Sequence, residues 1–135
     1  MKTTLFRPIG IGEYLLIKES GYTQFPPRLE WQPIFYPVMN QEYAEQIADD
    51  WNTKDEFSGY CGLVTSFELE KDYLQKFPVK NVGGSKHNEL WVPADDLPEF
   101  NEKICGKITI VKAFFGDKFL IDQNEEVRPY YQKFK

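Results

Sequence analysis

The run Ile34-Phe-Tyr-Pro-Val-Met-Asn-Gln-Glu-Tyr-Ala-Glu-Gln-Ile-Ala48 constrains the fold more than any other stretch of the chain. It reads as a short buried strand, a proline break and an amphipathic helix. Ile34 to Val38 is the strand, and Asn40 is the expected N-cap of a helix over Gln41 to Trp51. Tyr43, Ala44, Ile47, Ala48 and Trp51 recur at spacings of three and four, one helical stripe. A strand that delivers Tyr36 and turns into a Tyr-bearing helix can form one wall of a cleft. Two other polar residues have similar settings. Arg7 lies inside Leu5-Phe-Arg-Pro-Ile9, and Glu89 stands just before the apolar run Leu90-Trp-Val92. A cation, a phenol and a carboxylate on three strand-like segments can converge on one pocket.

The remaining elements follow from punctuation and period. Residues 4 to 9 read as a first strand, stopped by Pro8 and the Gly10/Gly12 pair. Glu13 to Ser20 reads as a helix with Leu15, Leu16 and Ile11 on its apolar side and Gly21 as its stop. Tyr22 to Pro33 is a loop whose Phe25-Pro-Pro-Arg28 piece is extended, a polyproline-like arm holding Arg28 over the surface. Tyr60 to Leu69 is the clearest strand, rich in β-formers. Asp72 to Phe77 suits one helical turn, Pro78 to Val82 and Glu89 to Val92 two strands, and Gly83-Gly84-Ser85 a turn. Pro93 to Asn101 includes a short acidic helix. Ile104 to Phe115 is a long strand, Gly116-Asp117 a turn, and Phe119 to Ile121 a last strand. The order is mixed and strands dominate the second half. This predicts an α+β fold with a mainly antiparallel sheet of about six strands and two to three helices. No repeat or linker divides the chain, so residues 1–135 are read as a single domain.

Composition narrows the function classes. At 135 residues the chain can bury one substantial core. Eleven Phe, eight Tyr and three Trp make it rich in rings, mostly for packing and in part for stacking a flat ligand. The net charge of −5, with no basic stripe, counts against nucleic-acid binding by phosphate neutralisation and suits a basic protein partner. Cys61 and Cys105 lack metal-ligand spacing and are expected as buried free thiols, so no metal site is assigned. Asp95, Asp96 and Glu99 are read as helix-start carboxylates. His87 has no Ser or Cys partner in a nucleophile motif. Gly83-Gly84-Ser85-Lys86 lacks the spacing of a phosphate loop. The start of the chain carries no signal-like or membrane-spanning stretch, and a cytoplasmic protein is expected.

The order of elements resembles a minimal ADP-ribosyltransferase. In that family a first strand carries a His or Arg, a second carries a Tyr or Ser ahead of a helix, and a late strand carries a Glu. The matching positions are Arg7 in Leu-Phe-Arg-Pro, Tyr36 in Ile-Phe-Tyr-Pro and Glu89 in Asn-Glu-Leu-Trp-Val, over roughly residues 4–112. Tyr43 matches a position that often holds a ring near nicotinamide. The chain is also similar to a family of small uncharacterised bacterial proteins with an Arg-Pro-Val/Ile-Gly start and a Glu-Leu-Trp-Val-Pro-Ala segment.

The resemblance implies an enzyme that uses NAD as substrate and transfers ADP-ribose to an acceptor. Glu89, Tyr36 and Arg7 would be catalytic. Arg7, Tyr36, Tyr43 and Arg28 would hold the dinucleotide. Two positions depart from the family pattern. Pro8 follows Arg7 where a second polar residue is common. His87 stands two positions before Glu89, where the arginine-modifying branch has an acidic or amide residue, which counts against arginine as acceptor. The residues also admit a plainer reading: Arg7 ion-paired, Tyr36 a core-edge tyrosine, Glu89 facing solvent. On that reading the chain is a non-catalytic interaction domain, of immunity or adaptor type, on the same or a related fold.

Overall fold

The computed structural model describes residues 1–84 and 87–135. The fold is α+β, and every strand pairing is antiparallel. β1 (Lys2–Ile9) pairs along its whole length with β3 (Cys61–Glu70), which pairs in turn with β7 (Cys105–Phe115). Two short strands, β2 (Ile34–Phe35) and β6 (Val92–Pro93), pair with each other, as do β4 (Val79–Asn81) and β5 (Asn88–Leu90). Single bridges link Phe6 of β1 to Val38, and Val38 to Glu89 of β5. The spatial order is therefore β7, β3, β1, the 34–38 segment, β5 and β4. The strands expected around residues 4–9, 34–38, 60–69, 78–82, 89–92 and 104–115 are all present, with altered ends.

β3 is buried on both faces because it is central. Leu63, Phe67 and Leu69 join the main core with Leu5, Ile9 and Phe100, while Val64 faces α2 (Gln41–Asp50). Helix α2 starts where expected, with the Asn40 side chain accepting from the Tyr43 N–H at 2.8 Å. It buries Tyr43, Ala44 and Ala48 against Phe6, Val38 and Val64.

Several expectations are corrected. In α1 (Ile11–Glu19) the buried face is Ile11, Tyr14 and Ile17, three residues apart, so Leu15 and Leu16 point outward. Trp51 leaves the helical stripe and is exposed, because the chain passes directly from α2 into a tight turn over Asn52–Lys54. Phe119 to Ile121 is not a strand. The segment after β7 folds into turns, with the Phe119 ring set against Phe115 and Tyr131, and then into α5 (Arg128–Phe134), whose rings Tyr130 and Phe134 pack on the core. With α3 (Lys71–Leu74) and α4 (Leu97–Lys103), the described residues form five helices rather than two or three. Cys61 is fully buried, which pushes its thiol up to about 12, whereas Cys105 is only half-buried. Ser85 and Lys86 of the expected glycine turn lie outside the described residues. Among the described residues no helix is long and apolar enough to cross a membrane.

Candidate functional site

The sheet splits beside β1. Phe6 and Val38 exchange both backbone hydrogen bonds, at 3.0 and 2.7 Å. In an antiparallel ladder the next such pair would join residue 8 to residue 36. Residue 8 is a proline and has no N–H to give, so the ladder stops there. Beyond the bridge, Arg7, Pro8 and Ile9 of β1 and Phe35 and Tyr36 of the neighbouring segment all line a cavity of about 740 Å³. That volume lies within the range of small-molecule sites. Arg7, Arg28, Tyr36 and Glu89, four of the five residues singled out in the sequence, all line it.

Arg7 is held from both sides. Its Nε and Nη2 donate to the two carboxylate oxygens of Glu13 in α1, at 2.7 and 3.0 Å, a bidentate fork. Its guanidinium lies 4.7 Å from the centre of the Phe35 ring. Arg7 is therefore ion-paired, as the plainer reading of the sequence has it, and it also lines the cavity. Arg28 is half-buried rather than held over the surface. Its Nε donates to the Ile34 carbonyl at 3.1 Å. Burial, then the neighbouring Arg7, pulls its pKa below the ordinary arginine range, partly offset by Glu13 and Tyr36. One carboxylate, Glu13, thus neighbours two guanidinium groups, while Asp55 and Glu89 also line the cavity.

Glu89 lines the same cavity. It shares the sheet face of Phe6 and Val38, through the bridges that join them, and meets α2 there. The Tyr43 hydroxyl donates to its Oε2 at 2.8 Å, and the Trp91 Nε1–H donates to its Oε1 at 3.2 Å. Each oxygen is oriented by one donor, and further lone pairs stay available for a ligand. Tyr36 sets its ring edge-on to Trp91, with centroids 5.6 Å apart. Tyr43 is not among the cavity's lining residues. His87 stacks on its ring at 4.5 Å, so it offers no free face to nicotinamide and acts instead by holding Glu89. Burial, the bond to Glu89 and the charge of Glu89 push the Tyr43 phenol up to about 12. His87 is itself fixed. Its Nδ1 accepts from the Gly84 N–H at 3.2 Å, which leaves Nε2 to donate to Gln46 Oε1 at 3.0 Å.

The far end of the cavity holds a network the sequence reading missed. The Ser58 hydroxyl has one proton, and the Asp55 carboxylate can only accept, so Ser58 donates to Asp55 Oδ2 at 2.6 Å. Ser58 Oγ must then accept from Asn52 Nδ2, at 2.9 Å. This fixes the Asn52 amide and leaves its buried Oδ1 with no partner. An unsatisfied buried acceptor of this kind costs about 1–3 kcal/mol. The legible signal was spacing: Asn52 lies four residues after Ala48, at the position where the buried stripe of α2 would fall if the helix ran on. Glu13 and Trp91 were also missed. Glu13 sits in the first turn after β1, and Trp91 two residues beyond Glu89, where strand alternation puts both side chains on one side. Glu99, by contrast, is spent on Lys76 at 2.8 Å and Tyr73 at 3.0 Å, away from the cavity.

A split sheet with cationic and acidic lips can bind an elongated anion along one wall and stabilise positive charge at the other. No protein-family model, no curated protein and no solved structure matches the chain.

Proposed function

We propose that the protein is an ADP-ribosyltransferase-like enzyme that uses NAD as substrate. One observation carries this reading: a single cavity of about 740 Å³ is lined by Arg7, Arg28 and an oriented Glu89. Breaking the glycosidic bond of NAD sends the bonding electron pair to the nicotinamide nitrogen and leaves positive charge on the ribose. The transition state is oxocarbenium-like, as in sugar hydrolysis. A carboxylate beside that charge stabilises it. Glu89 is held ready by Tyr43 and Trp91, so it needs little reorganisation. The acceptor then bonds to the ribose carbon and loses a proton, for which Glu89 is the nearby base. Arg28 and the remaining Nη1 of Arg7 suit the pyrophosphate. Tyr36, backed by Trp91, offers a ring at the same lip.

The test is an NAD titration followed by thermal melting, together with an assay of nicotinamide release. Wild type should gain stability and release nicotinamide. Glu89→Gln should still bind NAD and lose release, and Arg28→Gln should weaken binding. No melting shift, no release and a Glu89→Gln variant identical to wild type would remove the enzyme reading.

One observation favours the second reading, a non-catalytic interaction domain of immunity or adaptor type. Arg7 already has its carboxylate, so this part of the wall is satisfied without a ligand. A single stoichiometric protein partner, bound equally well by Glu89→Gln and with no nicotinamide release, would establish it.

A further inference from the structure

The mouth of the cavity is unusually apolar. Leu16, Leu29, Trp51 and Phe57 line it, and each is exposed: 51%, 53%, 60% and 95% of the residue's reference area. They come from four separate places: α1, the proline arm, the end of α2, and the second of the two turns that follow α2. Leftover apolar residues of one amphipathic element would not converge on one opening in this way. Clustered exposed apolar side chains around a cleft mark a binding surface. Trp31, 75% exposed, extends the same arm.

The exposed charges next to these residues in the chain have one sign; Arg28, which precedes Leu29, is half-buried with its Nε on the Ile34 carbonyl. An exposed carboxylate is the chain neighbour of each rim segment but α1: Glu30 lies between Leu29 and Trp31, Asp50 precedes Trp51, and Glu56 precedes Phe57. Asp55 lines the cavity between the turns. The exposed cation of this stretch, Lys54, lines a different opening, with Tyr60 and Phe115, and Asp50 lines that opening too, so Glu30, Asp55 and Glu56 carry the charge of the rim. Phosphate groups would be repelled at such a rim and are better served by the arginine wall inside. Cationic side chains would be attracted, and exposed Trp and Phe faces bind both cations and apolar groups.

We infer that this rim docks a polypeptide segment in which basic residues alternate with apolar or aromatic ones. A segment lying across the rim would present a side chain to the cavity opposite Glu89. Docking itself does not depend on the enzyme reading; that the docked segment is the acceptor of ADP-ribose does rest on it.

Three labelled synthetic decapeptides test the surface by fluorescence anisotropy at low salt: alternating Lys-Phe, alternating Lys-Gly and alternating Glu-Phe. The rim should bind Lys-Phe at least tenfold more tightly than either of the others. Trp51→Ala with Phe57→Ala should reduce Lys-Phe to the Lys-Gly level, and these exposed residues can be removed without opening the core. Glu30→Lys with Glu56→Lys should shift the preference toward Glu-Phe. The melting shift produced by NAD should be the same in Phe57→Ala as in wild type.

Lys-Phe binding that survives the double alanine variant would overturn the proposal. So would a loss of the NAD melting shift in Phe57→Ala, which would give the rim to the dinucleotide. A wild-type dimer in sedimentation that Phe57→Ala dissolves would assign the rim to a second copy of the chain. Peptide binding retained in a protein that never releases nicotinamide would sustain the docking surface while the enzyme reading fails; release without peptide selectivity would do the reverse.

Discussion

Tyr43→Phe isolates the hydrogen bond that orients Glu89. The ring stays, and with it the contacts to Val38, Ala44 and Val64; only the hydroxyl that donates at 2.8 Å to Glu89 Oε2 is lost. Hydrogen bonds to charged groups contribute roughly 1.5–3 kcal/mol. A second route to the magnitude is the phenol's pKa, 10.0 normally and about 12 here. That displacement corresponds to a ceiling of roughly 2.7 kcal/mol. Burial is its largest cause, so the bond to Glu89 carries only part of it. With Glu89 half-exposed, a loss of about 1.5 kcal/mol at pH 8 is expected, read by urea denaturation. The pH dependence has a definite sign. The folded state holds the phenol's proton more tightly than the unfolded chain, so the contribution is intact below pH 10. It is lost as the pH rises from 10 to about 12. Wild type and Tyr43→Phe should therefore converge across that window, while other tyrosines affect both alike. Under the proposed reaction, nicotinamide release should fall about tenfold, the loss expected for ~1.4 kcal/mol, with NAD affinity unchanged. Equal stabilities at pH 8, or a gap that persists undiminished beyond pH 12, would refute the assignment.

Arg7→Lys replaces a planar fork by a point charge, and should cost about 2 kcal/mol through loss of the second bond to Glu13 and of the contact with Phe35. A double variant with Glu13→Gln should melt little below either single variant if the two act as one unit. Gly62→Ala tests how closely α2 is seated: the added Cβ would lie 2.7 Å from the Ala48 carbonyl oxygen and 2.8 Å from its Cβ. One of the contacts is backbone, so the helix itself must move, at about 1–3 kcal/mol by denaturation.

Helix α2 was legible because one face is buried and the other is wet, and β3, buried on both faces, because of its run of β-formers. Asn40 and the stripe Tyr43, Ala44, Ala48 foretell α2, because the cap and the period agree. Arg7, Arg28, Tyr36 and Glu89 were legible as polar residues interrupting apolar or proline-rich segments, a pattern that core packing alone does not produce. What remained hidden depends on contacts between distant segments. Leu15 and Leu16 look like the core face of α1, yet Tyr14 takes that place, because its hydroxyl meets Tyr22 at 3.1 Å and its ring meets Tyr130 edge-on at 5.6 Å. Neither partner could be inferred from the local period. The fate of Phe119 to Ile121 is tied to the packing of the Phe119 ring on Phe115 and Tyr131, which local β-propensity does not encode. Tyr43 was recognised, but its ring was expected to meet a ligand; the stacking of His87 across a sheet–helix junction is invisible in one dimension.

Pro8 joins these points. In sequence it breaks the polar pattern expected after a first-strand arginine. In the fold it withholds the one N–H that would continue the β1 ladder past Phe6 and Val38. A sheet that zipped shut at that point would bring Tyr36 against β1 and leave no room between the cationic and acidic lips. The same residue therefore ends the pairing and keeps Arg7 beside an opening, while β3 holds the other edge of β1 through all eight of its residues. The cavity is thus a consequence of an asymmetric strand, fully paired on one side and held by a single bridge on the other. Such a cleft can admit a ligand without disturbing the core behind it.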